Sequence, residues 1–303
     1  MCVIVLGLGP TTLSTALNVE IRRLQGEPFI TLDTVIVENS SGPEGHFVGT
    51  NQPYEVLRHQ ANLGYAAAMN NAANLPAARK ADRLIFLTAD VEPTEGTLLR
   101  LLTALNDPTI GLSAPIIETG DAQWFGGSWH PRWGWARHNL TTPFTDEFAG
   151  IVDISWSDGA CLCIRRSDFQ RVEGFDAGTF LYGEDLQLCQ RLLGLGRRVV
   201  LVPDGRVRQS SGMNRRPGAH GYLLVRNEIR VLRLLGPRGA TLSGSVTGLA
   251  RAGFECCRAL RTAKSRRMHA QQSVGMVWGV VAGLRSVQGP PPPTLRRWGD
   301  IKL

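Results

Sequence analysis

Apolar positions along this chain alternate between short continuous runs and stretches with helical spacing. Cys2 to Leu6 is a β-branched run that ends at G-L-G-P, followed by Thr11 and Thr12 and a helix reaching about Gln25. Thr34 to Val37 reads as a second strand closing on Glu38-Asn39-Ser40-Ser41, and Tyr54 to Leu57 as a weaker third. Tyr65 to about Lys80 is Ala-rich and helical; Leu84 to Leu87 is a buried strand ending at T-A-D; Thr94 to Leu105 is a helix. This alternation predicts an α/β fold with a mainly parallel sheet flanked by helices, and ligands bound beyond the carboxyl ends of its strands. Three strand ends deliver polar groups to that edge: Pro10 and Thr11, Glu38 and Asn39, and Thr88-Ala89-Asp90.

The densest pattern lies from Ser157 to Arg191. Ala160, Leu162 and Ile164 alternate with Cys161 and Cys163 before Arg165 and Arg166 end the run, which predicts a buried strand and then a short helix. A Gly-Phe-Asp turn follows. Leu186, Cys189, Leu192 and Leu193 then recur at helical spacing, with Gly194 and Gly196 as a stop. Glu184 and Asp185 therefore fall in the first turn of that helix, where unpaired backbone N–H groups stabilise negative charge. Acids are also ordinary helix-start residues, so position alone does not make the pair catalytic. Between these blocks, Trp124, Trp129, Trp133 and Trp135 cluster among Gly, His and Arg. Two readings stay open for them: a platform for sugar C–H faces, or a flap packed over the sheet.

Past Gly221 a helix offers Leu224, Ile229, Leu232 and Leu235 for packing. Val246, Leu249, Phe254, Cys257 and Leu260 form the apolar stripe of a second helix, flanked by Arg251, Arg258 and Arg261; Val274, Val277, Trp278, Val281 and Leu284 form that of a third. Such stripes are expected to pack on the preceding domain, with a membrane interface as the alternative. Pro290 to Pro293 and the last ten residues read as an extended tail.

Charge sharpens this division. The 303 residues carry a net charge of +7, but from Gly236 onward 11 Lys/Arg stand against only Glu255 and Asp300. A basic tail of this kind suits an anionic membrane surface or nucleic acid, and the expectation is membrane and no nucleic acid. The six cysteines form no C-x-x-C pair, which argues against zinc or a redox dithiol. There is no signal-peptide pattern, and no apolar run of the ~20 residues a span needs, so a cytoplasmic location, peripheral at the inner leaflet, is expected. Gly7 and Gly9 lack the third glycine of a dinucleotide loop and Pro10 follows, so an oxidoreductase is not indicated.

The block D-G-A, R-R, G-F-D, then E-D ahead of a helix resembles the acceptor-side block of family 2 inverting glycosyltransferases, closest to the rhamnosyltransferase-like branch. V-I-V-E-N-S-S, N-L-G-Y-A-A-A-M-N and L-T-A-D-V resemble that family's nucleotide-pocket and D-x-D segments in order, over roughly residues 2–235. The resemblance implies a GT-A-type catalytic domain over 1–235, with a nucleotide-sugar half (1–118) and an acceptor half (119–235). A helical extension (236–289) and a Pro-rich tail (290–303) would follow. It implies Asp185 as general base with Glu184 beside it. Pro10, Thr11, Glu38, Asn39, Asn62, Gly64, Asn70 and Asp90 would lie around the nucleotide-sugar donor, with Trp124, Trp129, Asp158 and Gly159 toward a glycan-lipid or small-molecule acceptor. A divalent cation, Mg2+ or Mn2+, would be held by Asp90 and, less suitably, Gln209. Thr88 stands where the family often has the first acid of its signature, and Gln209 where it often has His, so the metal is expected to bind weakly. Arg206, Arg208, Arg215 or Arg216 could share the diphosphate charge. The competing reading is a non-catalytic nucleotide-sugar or glycan-binding protein on the same fold.

Overall fold

The computed structural model describes residues 1–7, 13–39, 54–120, 122–132, 150–210, 216–262 and 265–296, and the backbone of 135–141. Pro10, Thr11, Trp133 and Arg215 lie outside the described residues. The chain divides into two compact units, the first comprising 1–128, 137–176 and 188–211, the second 129–136, 177–187 and 212–303.

The first unit is built on a sheet whose parallel part comprises β1 (Cys2–Gly7), β2 (Asp33–Asn39), β3 (Glu55–His59) and β4 (Arg83–Thr88), in the order β3-β2-β1-β4. Burial of Val3, Ile4, Val5, Val35, Ile36 and Val37 on both faces explains why these strands read as continuous apolar runs. Beyond β4 the sheet becomes mixed. Strand β5 is Val91–Pro93, β6 Ile110–Thr119, β7 Ala122–His130, β8 Trp135–Thr141, β9 Val152–Asp153, β10 Cys161–Arg165 and β11 Arg198–Gln209. β10 runs antiparallel to β4 and β6, while β11 is parallel to β6 and antiparallel to β5. Cys161 and Cys163 are fully buried on β10, and burial pushes the Cys163 thiol up to about 12, so both serve as packing.

Helix α1 is Thr15–Gly26, and the Ser14 side chain accepts from Leu17 N and sets its cap. The Ala-rich segment is two helices, α2 (Tyr65–Ala73) and α3 (Pro76–Lys80): Pro76 cannot continue α2 and instead takes the first position of α3. Helix α4 (Thr97–Ala104) starts late, behind the left-handed Gly96. Its first amides are met by a carboxylate from α1: buried Glu20 accepts from Gly96 N at 2.8 Å and Leu98 N at 3.4 Å. Helix α5 is Arg166–Arg171, and α6 (Glu184–Gly194) begins in the second unit and ends in the first.

The second unit is helical: α7 (Pro217–Leu235), α8 (Ala240–Arg261), α9 (Arg266–Leu284) and α10 (Pro293–Arg296). Ile229 and Leu232 of α7 are buried as expected. The expected packing stripes of the next two helices are not. Val246, Leu249, Phe254, Cys257 and Leu260 on α8 are exposed, as are Val274, Val277, Trp278, Val281 and Leu284 on α9. Small residues pack instead. A Cβ on Gly244 or Gly248 of α8 would strike Leu232 or Val225 of α7; one on Gly279 of α9 would lie 2.6 Å from Tyr222 O, and one on Gly275 would run into Gly218 O. Helix axes this close leave no room for large side chains, so those turn outward. None of the helices is long and apolar enough to cross a membrane, among the described residues.

Gly275→Ala is expected to destabilise the fold by about 1–3 kcal/mol through overpacking, because its neighbour is a backbone carbonyl that cannot rotate away. Gly253→Ala, in open space on α8, should gain up to ~1 kcal/mol from helix propensity. Urea unfolding followed by circular dichroism separates the two; equal midpoints would contradict this helix packing.

Candidate functional site

At the carboxyl end of β2, Glu38 and Asn39 are both buried. Glu38 Oε2 receives Arg58 Nε at 2.7 Å, which offsets the cost of placing a carboxylate there. Asn39 is spent on the backbone: its Nδ2 donates to Gly64 O and to Asn62 Oδ1, both at 3.1 Å, and its Oδ1 accepts from Leu63 N at 2.9 Å. Asn62 Oδ1 also accepts from Gly64 N at 2.8 Å. The two asparagines thus tie the turn ahead of α2, where Gly64 has a φ of 82°. Glu38, Asn39, Asn62 and Gly64 are brought together as one polar cluster at the strand edge.

Two further contacts join motifs that lie far apart in sequence. Tyr65 Oη donates to Gly159 O at 2.6 Å, and a Cβ on Gly159 would lie 3.1 Å from the Tyr65 ring. This sets the D-G-A loop, with half-buried Asp158, against the start of α2. Asn70 makes a reciprocal pair with Phe175, donating to its carbonyl at 2.8 Å and accepting from its amide at 2.9 Å. Gly174 has a φ of 70°, and a Cβ there would lie 2.6 Å from Asn70 Oδ1, so the G-F-D turn needs its glycine twice over. Phe175 packs edge-on to Tyr65 and Phe86. Asn70 therefore anchors the loop that leads to the acidic pair.

Asp90 and Gln209 meet where β4 and β11 end. Gln209 Nε2 donates to Asp90 Oδ2 at 3.0 Å, and Ser210 N to Asp90 O at 3.1 Å. The amide of Gln209 thereby orients the carboxylate, and among the described residues Asp90 Oδ1 has no protein partner. No group of three or more His, Cys, Asp or Glu among the described residues could enclose a metal. A single carboxylate still suits an ion that takes its other oxygens from phosphates and water. Two buried hydroxyls, Thr88 Oγ1 and Ser157 Oγ, have no partner among the described residues. Arg206 and Arg208 approach Glu118, at 3.3 and 3.7 Å. Trp124 is half-buried and packs on the sheet's core.

In the second unit, Glu184 is buried and Asp185 half-buried in the first turn of α6, where Gln187 N closes on Gly183 O at 3.0 Å. Asp185 Oδ1 accepts from Leu186 N at 2.7 Å. The segment before them is unusual backbone: Phe180, Tyr182 and Gly183 have φ of 66°, 71° and 88°. Its carbonyls are gathered by α7. Asn227 Nδ2 donates to Thr179 O, Leu181 O and Tyr182 O at 3.0, 2.8 and 2.7 Å. Fully buried Arg226 donates to Thr179 O and Gly289 O, each at 2.5 Å, and to Asn227 Oδ1 at 2.9 Å. Trp129 is half-buried in this unit. Arg226 and Asn227 were not among the residues expected at the site; a polar pair on the buried face of a helix was the available signal for this role.

The comparisons with known proteins bear on this arrangement. Residues 39–172 match the family described as Glycosyl transferase family 2. The chain is 30% identical over 185 residues to the N-acetylglucosaminyl-diphospho-decaprenol L-rhamnosyltransferase of Mycobacterium tuberculosis H37Rv, covering 53% of this chain and 60% of that protein. It is 31% identical over 179 residues to the pre-mycofactocin glycosyltransferase of the same strain, covering 57% of this chain and 36% of that protein. The chain thus spans less than two thirds of the length of each of these curated relatives. In fold it is similar to the crystal structure of GalNAc-T7 with UDP, GalNAc and Mn2+, at a TM-score of 0.58 and 16% identity over 96% of this chain and 58% of that one. The α/β sheet flanked by helices, with C-terminal helices following, is the GT-A-type architecture the sequence led us to expect.

Asn227→Ala is expected to cost about 1–3 kcal/mol, since it strips donors from three carbonyls of one segment. Amide hydrogen exchange over Thr179–Leu186 should rise with the change. Unaltered protection there would mean that Asn227 does not hold the segment.

Proposed function

We propose that this chain, which carries a glycosyl transferase family 2 domain, moves a sugar from a nucleotide-diphosphate donor to an acceptor hydroxyl with inversion at the anomeric carbon. The observation that carries the reading is Asp185, set in the first turn of α6 behind a loop whose carbonyls Asn227 and Arg226 hold. In the proposed step the acceptor O–H proton passes to the Asp185 carboxylate as the oxygen attacks the anomeric carbon. The bond to the diphosphate breaks on the opposite face, and the nucleoside diphosphate leaves with the electron pair. The helix N-terminus favours the carboxylate form a base needs. Buried Glu184 serves the acceptor side as an orienting group.

On the donor side, Glu38, in the turn framework that Asn39 ties, suits a base or ribose, and Asp90 suits the diphosphate. A divalent cation bound by Asp90 and the donor phosphates would supply positive charge against the leaving group. A dTDP- or UDP-sugar is the proposed donor, following the sequence resemblance to the rhamnosyltransferase-like branch. A glycan-lipid or small molecule is the acceptor class, and an anionic membrane surface is the partner suggested by the basic C-terminal part.

Asp185→Asn keeps the shape and removes the proton acceptor, so transfer should fall by roughly 10²–10⁴ while donor binding is little changed. Glu184→Gln should cost less. Release of UDP or dTDP from a panel of nucleotide sugars measures both; near-native turnover by Asp185→Asn would remove the assignment, and no release by the unmodified chain would favour a binding protein. Because one carboxylate holds the ion, excess EDTA should lower the rate and added Mn2+ or Mg2+ restore it. Full activity in EDTA would shift charge neutralisation to arginine.

A further inference from the structure

The outward face of α8 and α9 is apolar where a water-facing helix should be polar. Val246 is 60% exposed, Phe254 64%, Leu260 75% and Trp278 52%. Gly244 and Gly248 of α8 and Gly275, Gly279 and Gly283 of α9 face α7, with Met276 and Val280 packed beside Val225 and Ile229, so this is the settled packing of the unit, and the exposed large side chains lie off that face. An exposed apolar stripe on each of two helices packed against one another marks an interaction site.

Charge says what kind. From Ala240 to Leu284 the only acid is Glu255, and it is buried, held by His269 Nδ1 at 2.6 Å and Arg258 Nη1 at 3.3 Å. The outer surface of the two helices therefore carries no carboxylate. Its cations gather at one end, where α8 gives way to α9: Arg258, Arg261, Arg266 and Arg267 are all exposed. A second copy would meet this surface with no acid to pair these arginines. An anionic lipid surface supplies both halves, phosphates for the arginines and an acyl boundary for the apolar side chains.

We propose that the outer face of α8 and α9 docks on an anionic phospholipid surface, with Phe254, Leu260 and Trp278 entering the headgroup–acyl boundary and Arg261, Arg266 and Arg267 binding lipid phosphates. The helices lie on the bilayer rather than cross it, consistent with their hydropathy. Indole is suited to that boundary because its ring is apolar and its N–H is not. The attachment is mixed: salt weakens the arginine share within roughly a Debye length of 8 Å, and leaves the apolar share in place. This inference is independent of sugar transfer, and its test requires no turnover.

The test is flotation of the full chain with phosphatidylcholine vesicles, with and without phosphatidylglycerol, at low and high salt. The expected result is binding to the anionic vesicles, reduced but not abolished by salt. Brominated acyl chains should quench tryptophan emission, and Trp278→Phe should reduce that quenching. The combined substitution Val246→Ser, Phe254→Ser and Trp278→Ser lies on exposed positions and should leave circular dichroism unchanged. It should weaken partitioning about tenfold or more, equivalent to ~1.4 kcal/mol. Arg261→Gln with Arg266→Gln and Arg267→Gln should remove the preference for anionic lipid. The proposal is overturned if the unmodified chain stays in the aqueous fraction with both vesicles, or if it binds both equally. It is also overturned if the serine variant binds undiminished, or if light scattering shows a dimer that Phe254→Ser dissolves.

Discussion

Buried carbonyl oxygens must find donors, and in the second unit one short segment concentrates that demand. Thr179 to Gly183 bends through three residues of left-handed backbone and so cannot satisfy its own carbonyls in a helix or a ladder. The donors come from two adjacent side chains of α7, a guanidinium and an amide. Arg226 is fully buried and spends its N–H groups on two carbonyls and on Asn227, which fixes the amide's orientation in turn. The Glu184-Asp185 pair that begins α6 inherits its position from this arrangement. Gly289 takes part as well, so the chain beyond α9 helps to hold the segment ahead of the acids.

Much of the first unit was legible because its signals are local. Strands β1, β2 and β4 announce themselves by apolar runs, and β2 and β4 end within a residue or two of the polar groups that mark their edge. Helix starts were less legible. The cap of α1 rests on one side-chain hydrogen bond of Ser14, and that of α4 on a carboxylate carried by a different helix. A break at Pro76 was visible in the letters but was outweighed by the surrounding alanines.

The C-terminal helices show where periodicity misleads. An apolar stripe at helical spacing is ordinarily the buried face, yet here the buried face is the glycine and alanine stripe beside it. Hydrophobic period measures where large apolar residues fall and is blind to how near two backbones can come. Close approach of α8 and α9 to α7 decided the matter. Candidate site residues divide in a similar way. Asn39, Asn62 and Asn70 were marked for the donor pocket by resemblance; the structure shows each amide engaged with backbone, Asn39 and Asn62 in the turn ahead of α2 and Asn70 at the G-F-D turn. Tyr65 drew attention only as part of a motif, although its hydroxyl joins that motif to Gly159.

The bond between Asn70 and Phe175 also bears on how the molecule comes into being. Its two partners are separated by 105 positions in the chain, and both of its hydrogen bonds form or fail together. Closing so long a loop carries an entropic cost that local helix formation does not share. The G-F-D turn therefore takes its final shape only after α2 and the end of α5 have met, late in folding. During synthesis, the anchor of this turn leaves the ribosome long before the turn itself, and α2 waits on the sheet for a partner not yet made.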